Sequence, residues 1–331
     1  MDLRVVRDWL YGQWIAWRIA DFHSRGGKVV MITGSYGKTS VRELAYDLLR
    51  QKYRVVATSR NYNTAVGIAK TIRWELMQDT QWLIVEVGAY RVGEIAQFAG
   101  WIRPEIGVIS GIARQHLTRF GSWEQIKRAK TELAKYIQAR GGILVANGSD
   151  ETVRELIKEA VWYEGIEREE VNRAGAREIA RVCGMSDEEI KQREKHWRSI
   201  PSRFEITAER YGMAVIDDSY NSNEKSFKEA VEYLGKQINC TRIVVTPGLL
   251  ELGRESEGIH LELGKLMARW SDYVILVGKN ERTQAMAKGI GKAVKVVWIQ
   301  KTMEFMEAVK QLQLKKEPLV LIENDIPEEL S

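Results

Sequence analysis

The sequence predicts an α/β protein of two domains, each built on a mostly parallel sheet. From Lys28 onward, short β-branched runs alternate with helical patterns, the signature of parallel strands joined by crossover helices. The alternation gives way to a charged, mostly helical stretch over 151–198 and resumes as a second series at Met213. The first series comprises 29–33, 54–58, 82–87, 106–110 and 143–147; the second comprises 213–217, 242–246, 273–277, 296–299 and 319–322. Ser199-Ile200-Pro201-Ser202 closes the charged stretch, so the expected division is 1–27, 28–200 and 201–331.

Ahead of the first strand, 3–22 reads as an amphipathic helix with Leu3, Val6, Leu10, Trp14 and Trp17 along one stripe. This stripe is expected to pack on the following domain, with peripheral contact to a membrane surface or a partner as the alternative. The apolar run 9–17 is too short to span a bilayer, and no small-residue cleavage site follows it. Between the first two strands, Val41, Leu44, Ala45, Leu48 and Leu49 repeat as one buried helical face.

The 331 residues are 44% hydrophobic and 29% charged, enough for full cores, and the net charge of +5 suits anionic ligands such as nucleotides. Without clustered basic runs or zinc-finger spacing, nucleic acid is not an expected partner. Cys183 and Cys240 stand far apart with no metal-ligand spacing, which fits a reducing cytoplasm.

Between the first strand and its helix lies Gly34-Ser35-Tyr36-Gly37-Lys38-Thr39. Glycines let the backbone turn so that its amides face phosphate oxygens, and a helix N-terminus adds a favourable dipole. Lys38 is placed to neutralise β- and γ-phosphate charge, and Thr39 to offer its hydroxyl to Mg²⁺. The G-x-x-G-K-T spacing is shorter than the common phosphate loop, but its position between strand and helix makes ATP the expected ligand. Glu86, directly after an apolar strand, can reach a ligand at that strand's carboxyl edge.

The segment from Ile32 through Ser40 resembles the ATP-binding signature of the Mur ligase family. Other blocks follow in family order: Asn61-Tyr62-Asn63, Val85-Glu86-Val87-Gly88, His116 through Ser122, Ala129-Lys130, Ser202-Arg203-Phe204-Glu205, Asp217 through Asn223, and Leu250-Glu251-Leu252-Gly253. The likeness spans about 28–325. It implies a central ATPase domain followed by a Rossmann-like domain, and an ATP-dependent amide ligase acting through an acyl phosphate, with ATP and Mg²⁺ as cofactors.

By resemblance, Gly34 through Ser40 cradle the phosphates, and Asn172, Arg203 and Asp217 also contact nucleotide. Asn61, Asn63, Tyr220, Asn221 and Asn223 approach the substrates. Lys38, Glu86, His116 and Lys130 form the catalytic set. Thr39, Glu86, His116 and a carbamylated Lys130 hold Mg²⁺, although by pattern alone Lys130 is an ordinary solvated charge and Asp217 to Asn223 an Asx-rich turn. His260 matches a family position without a role.

The implied reaction adds an amino acid or a dipeptide such as D-alanyl-D-alanine to a peptidoglycan-type precursor in the cytoplasm, by a monomer. Ligation to a folylpolyglutamate, poly-γ-glutamate or cyanophycin-like carboxylate, and a non-catalytic nucleotide-binding subunit, are the alternatives. The chain departs from the family pattern at Glu224, where proline is usual. It also reaches its phosphate loop after little more than one helix, so the N-terminal domain that holds a UDP-linked substrate is expected to be missing.

Overall fold

The computed structural model describes residues 3–59, 62–197, 205–210, 213–219, 222–312 and 314–324. The chain forms two compact units: Met1–Ala113 with Arg119–Trp197, and Arg114–Thr118 with Arg198–Ser331. Pro201, near which the sequence places the boundary, lies outside the described residues, as do Asn61, Arg203, Tyr220 and Asn221.

In the first unit the strands are β1 (Lys28–Thr33), β2 (Val55–Ala57), β3 (Trp82–Glu86), β4 (Ile106–Ile109), β5 (Ile143–Asn147) and β6 (Val161–Tyr163). They pair in the order β2-β3-β1-β4-β5-β6, all parallel. The residues of β3 and β4 are buried throughout, as expected where crossover helices cover both faces. The chain leaves β1 toward β2 on one side and leaves β4 toward β5 on the other. The carboxyl ends of β1 and β4 therefore flank a topological switch point, where open α/β sheets bind ligands.

The second unit holds β7 (Glu205–Arg210), β8 (Met213–Asp218), β9 (Thr241–Thr246), β10 (Tyr273–Val277), β11 (Lys295–Ile299) and β12 (Pro318–Glu323). Their order is β11-β10-β9-β12-β8-β7, and β7 alone among the described strands is antiparallel to its neighbour. One face of this sheet is closed by Phe305, Ala308, Val309 and Leu312 packed on Val215, Ile243, Ile275 and Val320.

Two strands lie beyond the sequence pattern. With three residues, β6 is too short to show a period, and β7 falls between the expected boundary near Pro201 and the first strand of the second series. The segment that carries Lys130 forms two helices, Trp123–Lys130 and Glu132–Ala139. At the break, the Thr131 hydroxyl donates to the carbonyls of Lys127 and Arg128, both at 3.0 Å.

The helix Leu3–Ser24 packs on the first unit, but not by the expected stripe. Ile15, Ile19 and Phe22 are fully buried, and Gly12 lies so close to the Trp101 indole that a Cβ there would meet the ring at 2.2 Å. Leu10 and Trp17, on the opposite face, are 56% and 63% exposed. The docked face is shorter in apolar residues but complementary in shape, and shape decides which stripe is buried.

His23 clamps the end of this helix. Its Nδ1 lies 3.0 Å from the Gly27 carbonyl and 3.2 Å from the Glu105 carboxylate, and Nε2 lies 3.4 Å from the Ile102 carbonyl. Every partner is an acceptor, which favours the imidazolium form; the bond to Glu105 raises its pKa above 6.5 against the opposing effect of burial. A folded value above the unfolded one gives stability that is complete below pH 6.5 and lost as pH rises through the raised value. His23→Leu is expected to lower the melting temperature by several degrees in mild acid and progressively less in alkali. Thermal melts across that range check it; a pH-independent difference would contradict the clamp.

Candidate active site

The loop after β1 is seated on the end of β4. Gly34 takes φ 154°, and a Cβ on it would lie 2.3 Å from the Ser110 hydroxyl, so this approach admits only glycine. The Ser35 amide donates to the Gly111 carbonyl at 2.6 Å, and its hydroxyl donates to the Ala113 carbonyl at 3.0 Å. Gly37 (φ 78°) caps the helix Lys38–Leu49 with no side-chain acceptor on the first turn, and no acidic residue stands there. The helix thus turns the positive end of its dipole toward the loop, the physical basis of an anion site.

Each loop side chain has a defined place. The Tyr36 ring lies over Gly111, and its hydroxyl donates to Asp150, which also accepts the Ile112 amide at 3.1 Å. Ser40 is buried. Asn172, from the helix Arg168–Val182, places Oδ1 3.1 Å from where a Cβ on Gly37 would sit, so it borders the loop. Lys38 folds along the loop and donates to the carbonyls of Gly34 at 2.9 Å and Ser35 at 3.3 Å.

Thr39 and Glu86 come together. The Thr39 hydroxyl donates to Glu86 Oε2 at 3.0 Å, and Glu86, at the end of β3, is buried. The same oxygen accepts Arg42 Nη1 at 2.8 Å. Arg42 is completely buried and also bonds Glu43. Thr39 and Glu86 are hard oxygen donors, a set that fits Mg²⁺ supplemented by phosphate oxygens and water. Among the described residues no group of three or more His, Cys, Asp or Glu side chains could hold a metal by itself.

Lys130 is buried at the end of the helix Trp123–Lys130, not the solvated charge that pattern alone suggests. Its ammonium nitrogen lies 5.7 Å from the Phe120 ring centroid. Burial, then the positive charge of Lys38, brings its pKa from 10.5 down to about 7, against the smaller opposing effects of Glu94 and Glu132. Asn63 packs its amide against Gly88 just beyond β3.

In the second unit, His116 hydrogen-bonds Glu251, and both residues take left-handed backbone with φ 57° and 59°. Asp217 accepts from the Ser219 amide at 3.1 Å and its hydroxyl at 2.6 Å, the Asx turn that the pattern allows. Asn223 Oδ1 caps the helix Glu224–Gly235, accepting from the amides of Lys225 at 3.0 Å and Ser226 at 3.2 Å. That oxygen is committed to the fold, which leaves the substrate role expected of Asn223 to its Nδ2. His260 is buried with the Leu249 amide donating to Nε2 at 2.9 Å and Nδ1 2.6 Å from the Ser256 carbonyl. That pattern requires the neutral Nδ1–H tautomer, in keeping with a pKa lowered chiefly by burial. His260 therefore anchors the turn that leads to Glu251.

Two family models match the chain: the Mur ligase middle domain over 32–192 and the Mur ligase glutamate ligase domain over 202–323. The chain belongs to the Mur ligase family. It is similar to the UDP-N-acetylmuramoyl-tripeptide–D-alanyl-D-alanine ligase of Escherichia coli strain K12, with 27% identity over 85% of this chain and 71% of that protein. The enzyme of the same name from Mycobacterium leprae is 29% identical over 82% of this chain and 65% of its own length. In structure, a MurF ligase from Thermotoga maritima solved in complex with ADP superposes with a TM-score of 0.82, covering 96% of this chain and 80% of that one at 21% identity.

Arg42, Ser110, Asp150 and Glu251 escaped assignment as site residues. Arg42 carried a visible signal: it stands one turn after Lys38, at the edge of the apolar stripe of its helix. Asp150 showed only the common pattern of a helix cap. Removing one partner of a buried ion pair leaves the other charge unpaired, so Arg42→Met is expected to destabilise the protein by about 3–5 kcal/mol. Urea unfolding measures this, and Arg42→Met with Glu86→Gln should recover much of the loss if the pair is its source.

Proposed function

We propose that this chain is an ATP-dependent amide ligase that activates the carboxylate of a peptidoglycan-type precursor and joins it to an amine such as D-alanyl-D-alanine. The feature that supports the reading is Lys130, an amine buried at the end of its helix, whose pKa burial and the charge of Lys38 bring down to about 7. An ATP-binding fold needs Lys38 and Thr39; a carbamate-forming lysine is the further feature that the family resemblance attaches to acyl-phosphate ligation. The substrate identities rest on the names of the relatives.

A carboxylate does not react with an amine at a useful rate. Transfer of the γ-phosphoryl group to it gives ADP and an acyl phosphate; the amine then attacks the acyl carbon, and phosphate leaves with the C–O bonding pair. The loop amides and Lys38 hold the transferring phosphoryl group in line, so catalysis comes from position and charge. Thr39, Glu86 and a carbamate on Lys130 are the residues proposed to hold Mg²⁺, with His116 as the further candidate that the resemblance names. Bound there, the ion offsets the charge spread over the phosphate oxygens. Asn172 borders the loop where a nucleotide would lie, and Asn63 and Asn223 are proposed on the substrate side.

ADP release is the test. Turnover with UDP-N-acetylmuramoyl-tripeptide and D-alanyl-D-alanine, with an amide product of the summed mass less water, is expected. Turnover confined to folate or polyglutamate acceptors would overturn the substrate assignment. Lys38→Ala is expected to lower turnover by about 100-fold or more, while near-normal ADP release would refute the loop's role.

Carbamylation needs the neutral amine, whose fraction rises as pH passes about 7. With ¹³C-bicarbonate, a carbamate resonance is expected in alkali, weakening below about pH 7 and missing in Lys130→Ala. Depleting CO₂ should slow the wild-type enzyme, and an unmodified Lys130 in fully active protein would sink the proposal.

A further inference from the structure

The helix Leu3–Ser24 has a second apolar face that the fold covers only in part. Leu10, Trp14 and Trp17 follow at intervals of four and three and so share one side, with Leu10 and Trp17 more than half exposed, opposite the buried Ile15, Ile19 and Phe22. Beside it, the helix Ala65–Trp74 ends in Trp74, 68% exposed. Between the two helices runs a groove of about 450 Å³, lined by Arg7, Leu10, Tyr11 and Trp14 from one and by Lys70 and Arg73 from the other.

Charge selects what this face meets. Arg7, Arg18, Lys70 and Arg73 surround the aromatic residues. Arg18 lies 6.0 and 5.9 Å from the ring centroids of Trp14 and Trp17, and Arg73 lies 5.2 Å from that of Trp74. The helix's described carboxylates are already engaged by cations, Asp8 with Arg7 at 2.9 Å and Asp21 with Arg25 at 3.0 Å. A second copy of the chain packed face to face would bring these four cations against their own kind. An anionic bilayer complements both components: its headgroups meet the cations, and its acyl boundary accepts Leu10 and Trp17. No helix among the described residues is long and apolar enough to cross a membrane, so such contact lies along the surface.

We infer that the exposed face of the helix Leu3–Ser24, with Lys70 and Arg73, docks the protein on an anionic lipid surface. The inference is independent of the ligase reading, since none of these residues belongs to the proposed site.

The full chain is sedimented with vesicles of phosphatidylcholine alone and of phosphatidylcholine with phosphatidylglycerol, and tryptophan quenching by brominated lipid is read in parallel. Binding to the anionic vesicles at low salt is expected, falling with added salt and weak on the neutral ones. Lys70→Glu with Arg73→Glu, and separately Leu10→Glu with Trp17→Glu, should each lower the partition coefficient roughly tenfold or more while leaving the melting temperature and ADP release unchanged. Failure to bind anionic vesicles, or binding undiminished in the Leu10→Glu, Trp17→Glu variant, overturns the inference. A dimer in light scattering that dissociates in that variant also overturns it, in favour of self-association.

Discussion

Gly34 can lie beneath Ser110 only because it has no side chain, and this seat determines where the following helix begins. With the loop pressed onto the end of β4, Gly37 turns through left-handed backbone and the helix starts at Lys38. Lys38, Thr39 and Arg42 then fall within one turn of the helix N-terminus, and two of them reach the end of β3 to meet Glu86. A Cβ at Gly34 would displace the loop and every group that it positions. The other fixtures reinforce the same seat: the Ser35 hydroxyl on Ala113, and the Tyr36 ring over Gly111 with its hydroxyl on Asp150.

The charges around this seat are unequal in their comfort. Glu86 is buried but held by an arginine and a threonine hydroxyl, so its carboxylate oxygen is not left without a partner. Lys130 is buried with an aromatic ring and another lysine among its influences, and both burial and Lys38 favour its neutral form. Adding CO₂ to that amine would exchange a like charge near Lys38 for an opposite one. The burial and the Lys38 charge that disfavour an ammonium at Lys130 are thus the same two influences on which the proposed carbamylation rests.

Most of the strands were legible because buried parallel strands read as continuous β-branched runs, and the loop was legible because glycine, lysine and threonine at that spacing follow a strand. Partners brought together from distant segments were not. Nothing local in the sequence pairs Tyr36 with Asp150 or Arg42 with Glu86, and Lys130 lies in a charged run, Glu124 to Lys130, that reads as a solvated face. Burial of one particular lysine depends on how the helix is broken at Thr131 and turned, which is set by packing rather than by period.

The helix Leu3–Ser24 illustrates the same limit in a form with consequences. Period analysis finds the stripe with the greatest apolar content, here Leu10, Trp14 and Trp17, whereas docking selects the stripe whose shape fits. Gly12 lets the helix approach the Trp101 indole, and His23 locks its end to Glu105. With those two contacts setting its rotation, the aromatic stripe is turned outward. Leu10 and Trp17 left toward water keep apolar area unburied, and burying it by rotation would expose Ile15, Ile19 and Phe22 instead. A fold that secures the opposite face with a glycine contact and an ion pair holds that surface in place for something other than its own core, and the surrounding arginines and lysine give it a sign.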